Sequence, residues 1–267
     1  MKKSKLVKAM VAGILAVVGA ATISCSVIAR ENNAQIDSIV ESGLKLIEKN
    51  YTITECNTND YTDITMYGIM KFHTKQYEIE GLGNLSIMTT DMGMMQMMSF
   101  MITSFEKKVP LCTFDFMYIG NKRKSYVEFY NLVEDAKTPE YTGILDTLNN
   151  LKASFDDVEE IPYKGNWYDN YLTVFMHKAI GSKQDELNSK LFCDSLSAYL
   201  KKSEEVEVMS AEAKQKQLQI IEEYSEGLIT KGGISTDFFK KNLGEDMTRD
   251  FFNKVFFGTD RYREGRQ

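Results

Sequence analysis

Histidine, tryptophan and proline are scarce in this chain of 267 residues, with two, one and three copies. His73 and His177 cannot supply a histidine-ligated metal centre, and neither HxxxH nor HExxH occurs. Three prolines and 17 glycines leave no low-complexity linker, so nothing divides the chain into modules. Basic runs are absent too. With 32 Lys+Arg against 38 Asp+Glu the net charge is −6, which argues against a protein built to hold a phosphate backbone. Four cysteines stand far apart without a CxxC pair. That excludes a zinc ribbon and a dense disulfide framework, and Cys56, Cys112 and Cys193 read as buried thiols. GxSxG and DxDxDG are missing, and Gly81-Leu-Gly83 lacks the third glycine of a dinucleotide fingerprint. The acids Asp156, Asp157, Glu159 and Glu160 read as a solvated loop before a calcium site.

The first 29 residues differ from the rest. Lys2, Lys3, Lys5 and Lys8 precede an uncharged run from Ala9 to Ala21, and Val27-Ile28-Ala29 offers a small-x-small cleavage site before Arg30. Residues 1–29 are expected to be a signal peptide. The second reading is an N-terminal membrane anchor over residues 6–29, a length able to span a bilayer. Lipidation of Cys25 ranks last, because Thr22-Ile23-Ser24 is a poor lipobox. The protein is thus expected to be exported or membrane-anchored, with a cytoplasmic or plastid location only if the signal reading fails. Residues 30–267 fit one domain, with 28 bases against 38 acids.

Within that domain the hydrophobic period changes twice. Ile36, Ile39, Val40, Leu44 and Ile47 repeat at helical spacing between Asn33 and Lys49. From Ile64 to Leu132 short β-forming runs follow: Ile64 to Phe72, Tyr77 to Leu82, Leu85 to Thr90, Met97 to Phe105, Thr113 to Ile119 and Ser125 to Leu132. Turns are expected at His73–Gln76, Gly83-Asn84 and Gly120–Arg123. Connections this short permit hairpins and not crossover helices, so the sheet should be antiparallel. After Leu132 the helical period returns. Ser182-Lys-Gln-Asp185 fits a capping box ahead of Leu187, Leu191, Leu196 and Leu200. A helix from about Ser210 to Ile229 carries Leu218, Ile221, Tyr224 and Leu228. Another starts near Thr236 and stops at Gly244, before an apolar face of Met247, Phe251, Phe252, Val255 and Phe256. The fold class is α/β in the α+β sense, with helices on both sides of a central antiparallel sheet.

Two features carry chemistry. Met92, Met94, Met95, Met97, Met98 and Met101 are either core filling or a soft wall for a large flat ligand. Asp115 stands inside the apolar run Leu111 to Tyr118, between Phe114 and Phe116. Turned outward it is unremarkable; turned under an apolar pocket, it would be desolvated and hold its proton near neutral pH.

Gln96-Met-Met-Ser99-Phe100, Phe105, Pro110, Phe114-Asp115 and the strand Tyr126 to Leu132 resemble the central sheet of the ferredoxin-dependent bilin reductases, whose superfamily includes red chlorophyll catabolite reductase. Tyr199-Leu200, Gln217, the segment Asn242 to Phe252 and Val255 to Phe257 extend the likeness, which covers about Ile64 to Gly258. The resemblance implies an α/β/α sandwich holding a linear tetrapyrrole between the sheet and the C-terminal helices. It implies no bound redox cofactor, with reduced ferredoxin as the external electron donor and protein carboxylates supplying protons. Asp115 is then the proton donor, and Ser99, Met98, Phe114 and Lys231 are pigment contacts. Lys231, or one of Lys122, Arg123 and Lys124, would pair with the propionates. The position of a second functional carboxylate falls at Gly233. An alternative follows from that loss and from the signal: an exported tetrapyrrole-binding protein without redox activity.

Overall fold

The computed structural model describes residues 26–68 and 70–263. The expected signal or anchor lies outside these, apart from its last four residues, which begin the first helix. Among the described residues no helix is long and apolar enough to cross a membrane.

That first helix, α1, covers residues 26–48. Ile36, Ile39 and Ile47 are buried, with Val40 and Leu44 packed beside them, so the helical stripe faces the core. Gly43 lets α1 approach closely, since a Cβ there would sit 2.8 Å from the Phe192 ring and 2.9 Å from Phe100. Eight strands follow: β1 (Ile53–Cys56), β2 (Asp63–Met66), β3 (Met70–Ile79), β4 (Gly83–Asp91), β5 (Met95–Ser104), β6 (Leu111–Ile119), β7 (Lys122–Tyr130) and β8 (Leu172–Gly181). Their order is β1-β3-β4-β5-β6-β7-β8, with β2 also on β3, and every pair is antiparallel.

The inner strands are buried on both faces because both are covered. Phe100, Phe114, Phe116 and Phe129 pack against α1, α2 (Pro139–Ala153) and α3 (Asp185–Glu204), through Ile144, Leu148, Leu191, Phe192 and Leu196. A fully buried phenylalanine stabilises such a core by about 2–3 kcal/mol. The second face meets α4 (Ala211–Lys231), α5 (Ile234–Leu243), α6 (Glu245–Phe251) and a π-helical turn, Phe252–Phe256. Polar ties fix this second layer. Gln76 Nε2 donates to Asn84 Oδ1 (2.8 Å) and to the Lys254 carbonyl (2.9 Å). Asn84 Nδ2 donates to the carbonyls of Val255 and Phe256, both at 3.3 Å.

Several sequence expectations are corrected. His73–Gln76 is the middle of β3, not a turn, and the reversal before β4 falls at Gly81 (φ 73°), ahead of Gly83-Asn84. β1 and β8 were not expected, nor was α2. Ser182–Asp185 forms no capping box, because Asp185 turns to Arg123 in a two-pronged pair at 2.7 and 3.1 Å. Met247 is exposed, whereas Phe251, Phe252 and Val255 are buried. Gly244 (φ 82°) does end α5 as expected.

Candidate functional site

Side chains on one sheet face form rows across the strands. Thr74, Met88, Ser99, Asp115, Tyr126 and His177 are successive cross-strand partners from β3 to β8. One row over run Gln76, Ser86, Met101, Thr113, Glu128 and Phe175. Cross-strand partners share a face, so these rows all point toward α4–α6. A cavity of about 440 Å³ lies between them and those helices, within the usual range of roughly 300–1,000 Å³ for ligand sites. Met88, Met97, Met101 and Met117 supply a flexible thioether wall from the sheet. Phe239, Phe251, Phe252 and Phe256 supply an aromatic wall from the helices, with Phe239 stacked on Phe251 at 5.4 Å. Tyr126, Tyr130, Tyr168 and Tyr224 close one side.

Among the described residues, Asp115 is the one carboxyl or basic side chain lining this cavity. Its carboxyl accepts a 2.8 Å hydrogen bond from Thr113 Oγ1. Burial raises its pKa to about 6, and the Glu128 charge pushes the same way; Ser99 and Thr113 act against them. The first two dominate, so the carboxyl sits where it can hold and release a proton near neutrality. Ser99 stands directly across from it and is 5% exposed, its hydroxyl close enough to the carboxyl to favour the charged form.

The other expected contacts are placed differently. Phe114 is fully buried on the opposite face, its ring 4.8 Å from Phe192. Met98 borders the cavity within β5, but alternation sends its side chain into the first core, opposite Phe116. Lys231 is exposed at the end of α4, its ammonium 4.6 Å from the Trp167 ring, and does not line the cavity. Arg123 is buried on the far face over Tyr118, while Lys122 and Lys124 are exposed. None of the four cations therefore lines the cavity. Of the six clustered methionines, Met92, Met94 and Met95 belong to the β4–β5 hairpin region and do not line it. Gly233 does line it, at the start of α5.

Residues with no sequence signal complete the surroundings. Glu128 Oε1 lies 2.7 Å from His177 Nε2, and Tyr130 donates its hydroxyl to Glu128 Oε2 at 2.5 Å. Only the pairing of β7 with β8 brings His177 to this point.

An antiparallel sheet between two helical layers, with a cavity beneath the C-terminal helices, is the fold of the bilin reductases. A solved structure that shares it is phytochromobilin synthase from tomato, crystallised in complex with biliverdin. The superposition has a TM-score of 0.69 and covers 85% of each chain at 12% sequence identity, so the likeness is one of fold. No protein-family model and no curated protein matches the chain.

Proposed function

We propose that the protein is a bilin reductase-like oxidoreductase acting on a linear tetrapyrrole of the biliverdin or chlorophyll-catabolite kind. The observation that carries this reading is Asp115: one carboxyl with a raised pKa, facing an apolar cavity of about 440 Å³, opposite the buried Ser99 hydroxyl. The shared fold of a protein solved with biliverdin supports it. A flat conjugated pigment matches a methionine wall facing an aromatic wall. Its pyrrole N–H groups match an acceptor carboxyl and a hydroxyl.

In this reading a one-electron carrier such as reduced ferredoxin reduces the pigment directly. Two electrons and two protons convert one pigment double bond to a single bond, and two carrier molecules are oxidised. Asp115 gives a proton to the reduced pigment, and Ser99 orients it by hydrogen bonding. With no cation lining the cavity, the propionate carboxylates extend outward to solvent.

The test begins with binding. Biliverdin added to residues 30–267 should give a shifted, saturable visible band and quench Trp167, which packs against the cavity-lining Tyr168 at 5.5 Å. Reduced ferredoxin without oxygen should then bleach that band in steps. Asp115→Asn should bind pigment but reduce it about 10²–10⁴-fold more slowly, the usual contribution of a positioned acid. Unchanged reduction in this variant would refute the assignment. The second reading is a carrier with no redox step, favoured by glycine at position 233; a complex that takes up no electrons would establish it.

A further inference from the structure

Reducing one double bond takes two protons, and among the described residues the cavity wall holds a single carboxyl, Asp115. A second hydrogen-bonded chain ends at the same cavity. Tyr130 lines it and donates to Glu128 Oε2, and Glu128 Oε1 meets His177 Nε2 at 2.7 Å. We propose that Tyr130, Glu128 and His177 form the second proton source of the cavity, with Tyr130 delivering to the pigment and the other two recharging it. This rests on the reductase reading above.

The surroundings favour transfer along this chain. Glu128 lies opposite Thr113, whose hydroxyl is bonded to Asp115, so the two carboxyl groups sit on neighbouring strands of one sheet face. The residues facing Glu128 are Tyr126 and Tyr130 on its own strand, His177 on β8, Thr113 and Asp115 on β6, and Tyr163, Tyr168 and Tyr224 from the segments that cover it. His177 is 3% exposed and is faced by Tyr126 from β7, Phe175 from its own strand and Tyr163 from the preceding loop. No lysine or arginine forms an ion pair with Glu128 among the described residues, and the group that meets its Oε1 is the His177 imidazole. Each link is within hydrogen-bond reach, as proton transfer requires.

The step balances. One electron and a proton from Asp115 reach the pigment first. With the second electron, the Tyr130 hydroxyl proton goes to a pigment carbon or nitrogen and leaves a phenolate. His177, protonated from water, then gives a proton from Nε2 to the Glu128 carboxylate at Oε1, and the carboxyl turns and passes it to Tyr130 Oη. Tyr130 is a catalytic residue in this scheme. Glu128 and His177 act through it and are positioning residues.

The experiment compares the wild type with Tyr130→Phe, Glu128→Gln and His177→Gln, and with Glu128→Gln combined with Gly233→Asp. Each is first titrated with biliverdin and then reduced by ferredoxin in a single anaerobic turnover across pH 5.5–8.5. The three single variants should still bind biliverdin and still show a first phase, whose pH profile moves in Glu128→Gln because the Glu128 charge helps raise the Asp115 pKa. Their second phase should slow at least tenfold and lose its pH dependence, leaving a one-electron intermediate visible. Gly233→Asp, which adds a carboxyl to the cavity wall, should restore that phase without restoring the lost Tyr130 link. A second phase with wild-type rate and pH profile in Tyr130→Phe and Glu128→Gln overturns the relay while leaving the reductase reading intact. A protein that binds pigment but takes no electrons overturns both and leaves the carrier reading. A protein that binds no biliverdin overturns the biliverdin reading and the relay together.

Discussion

Asp115 couples the chemistry of the cavity to the stability of the fold. Its native pKa of about 6 lies above the ordinary 3.8, so the folded state prefers the protonated form. The benefit of that preference is whole below pH 3.8, declines between there and about 6, and is gone above. The interval is equivalent to about 3 kcal/mol. Asp115→Asn should therefore match the wild type at pH 3.5 in urea denaturation and exceed it by up to about 3 kcal/mol at pH 8. Equal stability at both values would mean that the carboxyl is not desolvated. Phe114 makes the complementary case. Phe114→Ala should cost about 3–5 kcal/mol while the biliverdin midpoint stays put, because its ring belongs to the opposite core. A changed midpoint at constant stability would place the ring on the wrong face. The sequence shows Asp115 clearly, as one acid in an apolar run. It also contains the reason Phe114 and Asp115 cannot both meet the pigment, since neighbours on a strand point apart. The same argument separates Met98 from Ser99.

At the scale of elements, the β5–β7 hairpins were legible because short apolar runs alternate with turn residues. β8 was not, since Leu172 to Gly181 lies among helical segments and its alternation, with Val174 and Met176 inward to one core and His177 to the other face, has no adjacent hairpin partner. Losing β8 hid the Glu128–His177 contact, because only strand pairing unites residues 49 positions apart. Two glycines show how elements constrain substitution. Gly83 begins β4 at φ 155°, and a Cβ there would lie 2.1 Å from the Thr103 carbonyl. Gly83→Ala should lower stability by at least about 1–3 kcal/mol, the usual cost of overpacking, measured by urea unfolding. Full stability would show that the β4–β5 ladder can part there. Gly233 is the opposite case. Its backbone is extended at φ −177°, and the atoms nearest a Cβ would belong to Leu228 and Thr236 at 3.5 Å and Tyr168 at 3.8 Å, ordinary contact distances. Position 233 accepts a side chain, and an Asp there would also cap α5, which now has no side-chain cap. Gly233→Asp should keep or slightly raise the melting temperature. A fall of several degrees would mean that the cavity wall has no room for a carboxyl.

The whole molecule is two cores joined by one sheet, and they differ in how they are filled. The first packs three helices on phenylalanine side chains, whereas the second leaves about 440 Å³ between the sheet and α4–α6. That layer is held by Gln76 and Asn84, by Gln217 donating to the Ser104 carbonyl at 3.3 Å, and by ring contacts around the cavity such as Phe72–Phe239 and Tyr130–Tyr224. A pigment filling the gap would bring the two sides into contact and stabilise only the folded state. At a free concentration one hundred times its dissociation constant, binding adds about 2.7 kcal/mol. For a domain of this size each kcal/mol moves the melting temperature by about 2–4 °C, so biliverdin should raise it by about 5–11 °C. The dependence should be logarithmic in free pigment and be accompanied by Trp167 quenching over the same range. A melting temperature that stays fixed while the visible band saturates would place the pigment on the outer surface, and the space beneath the C-terminal helices would then be packing left unfilled.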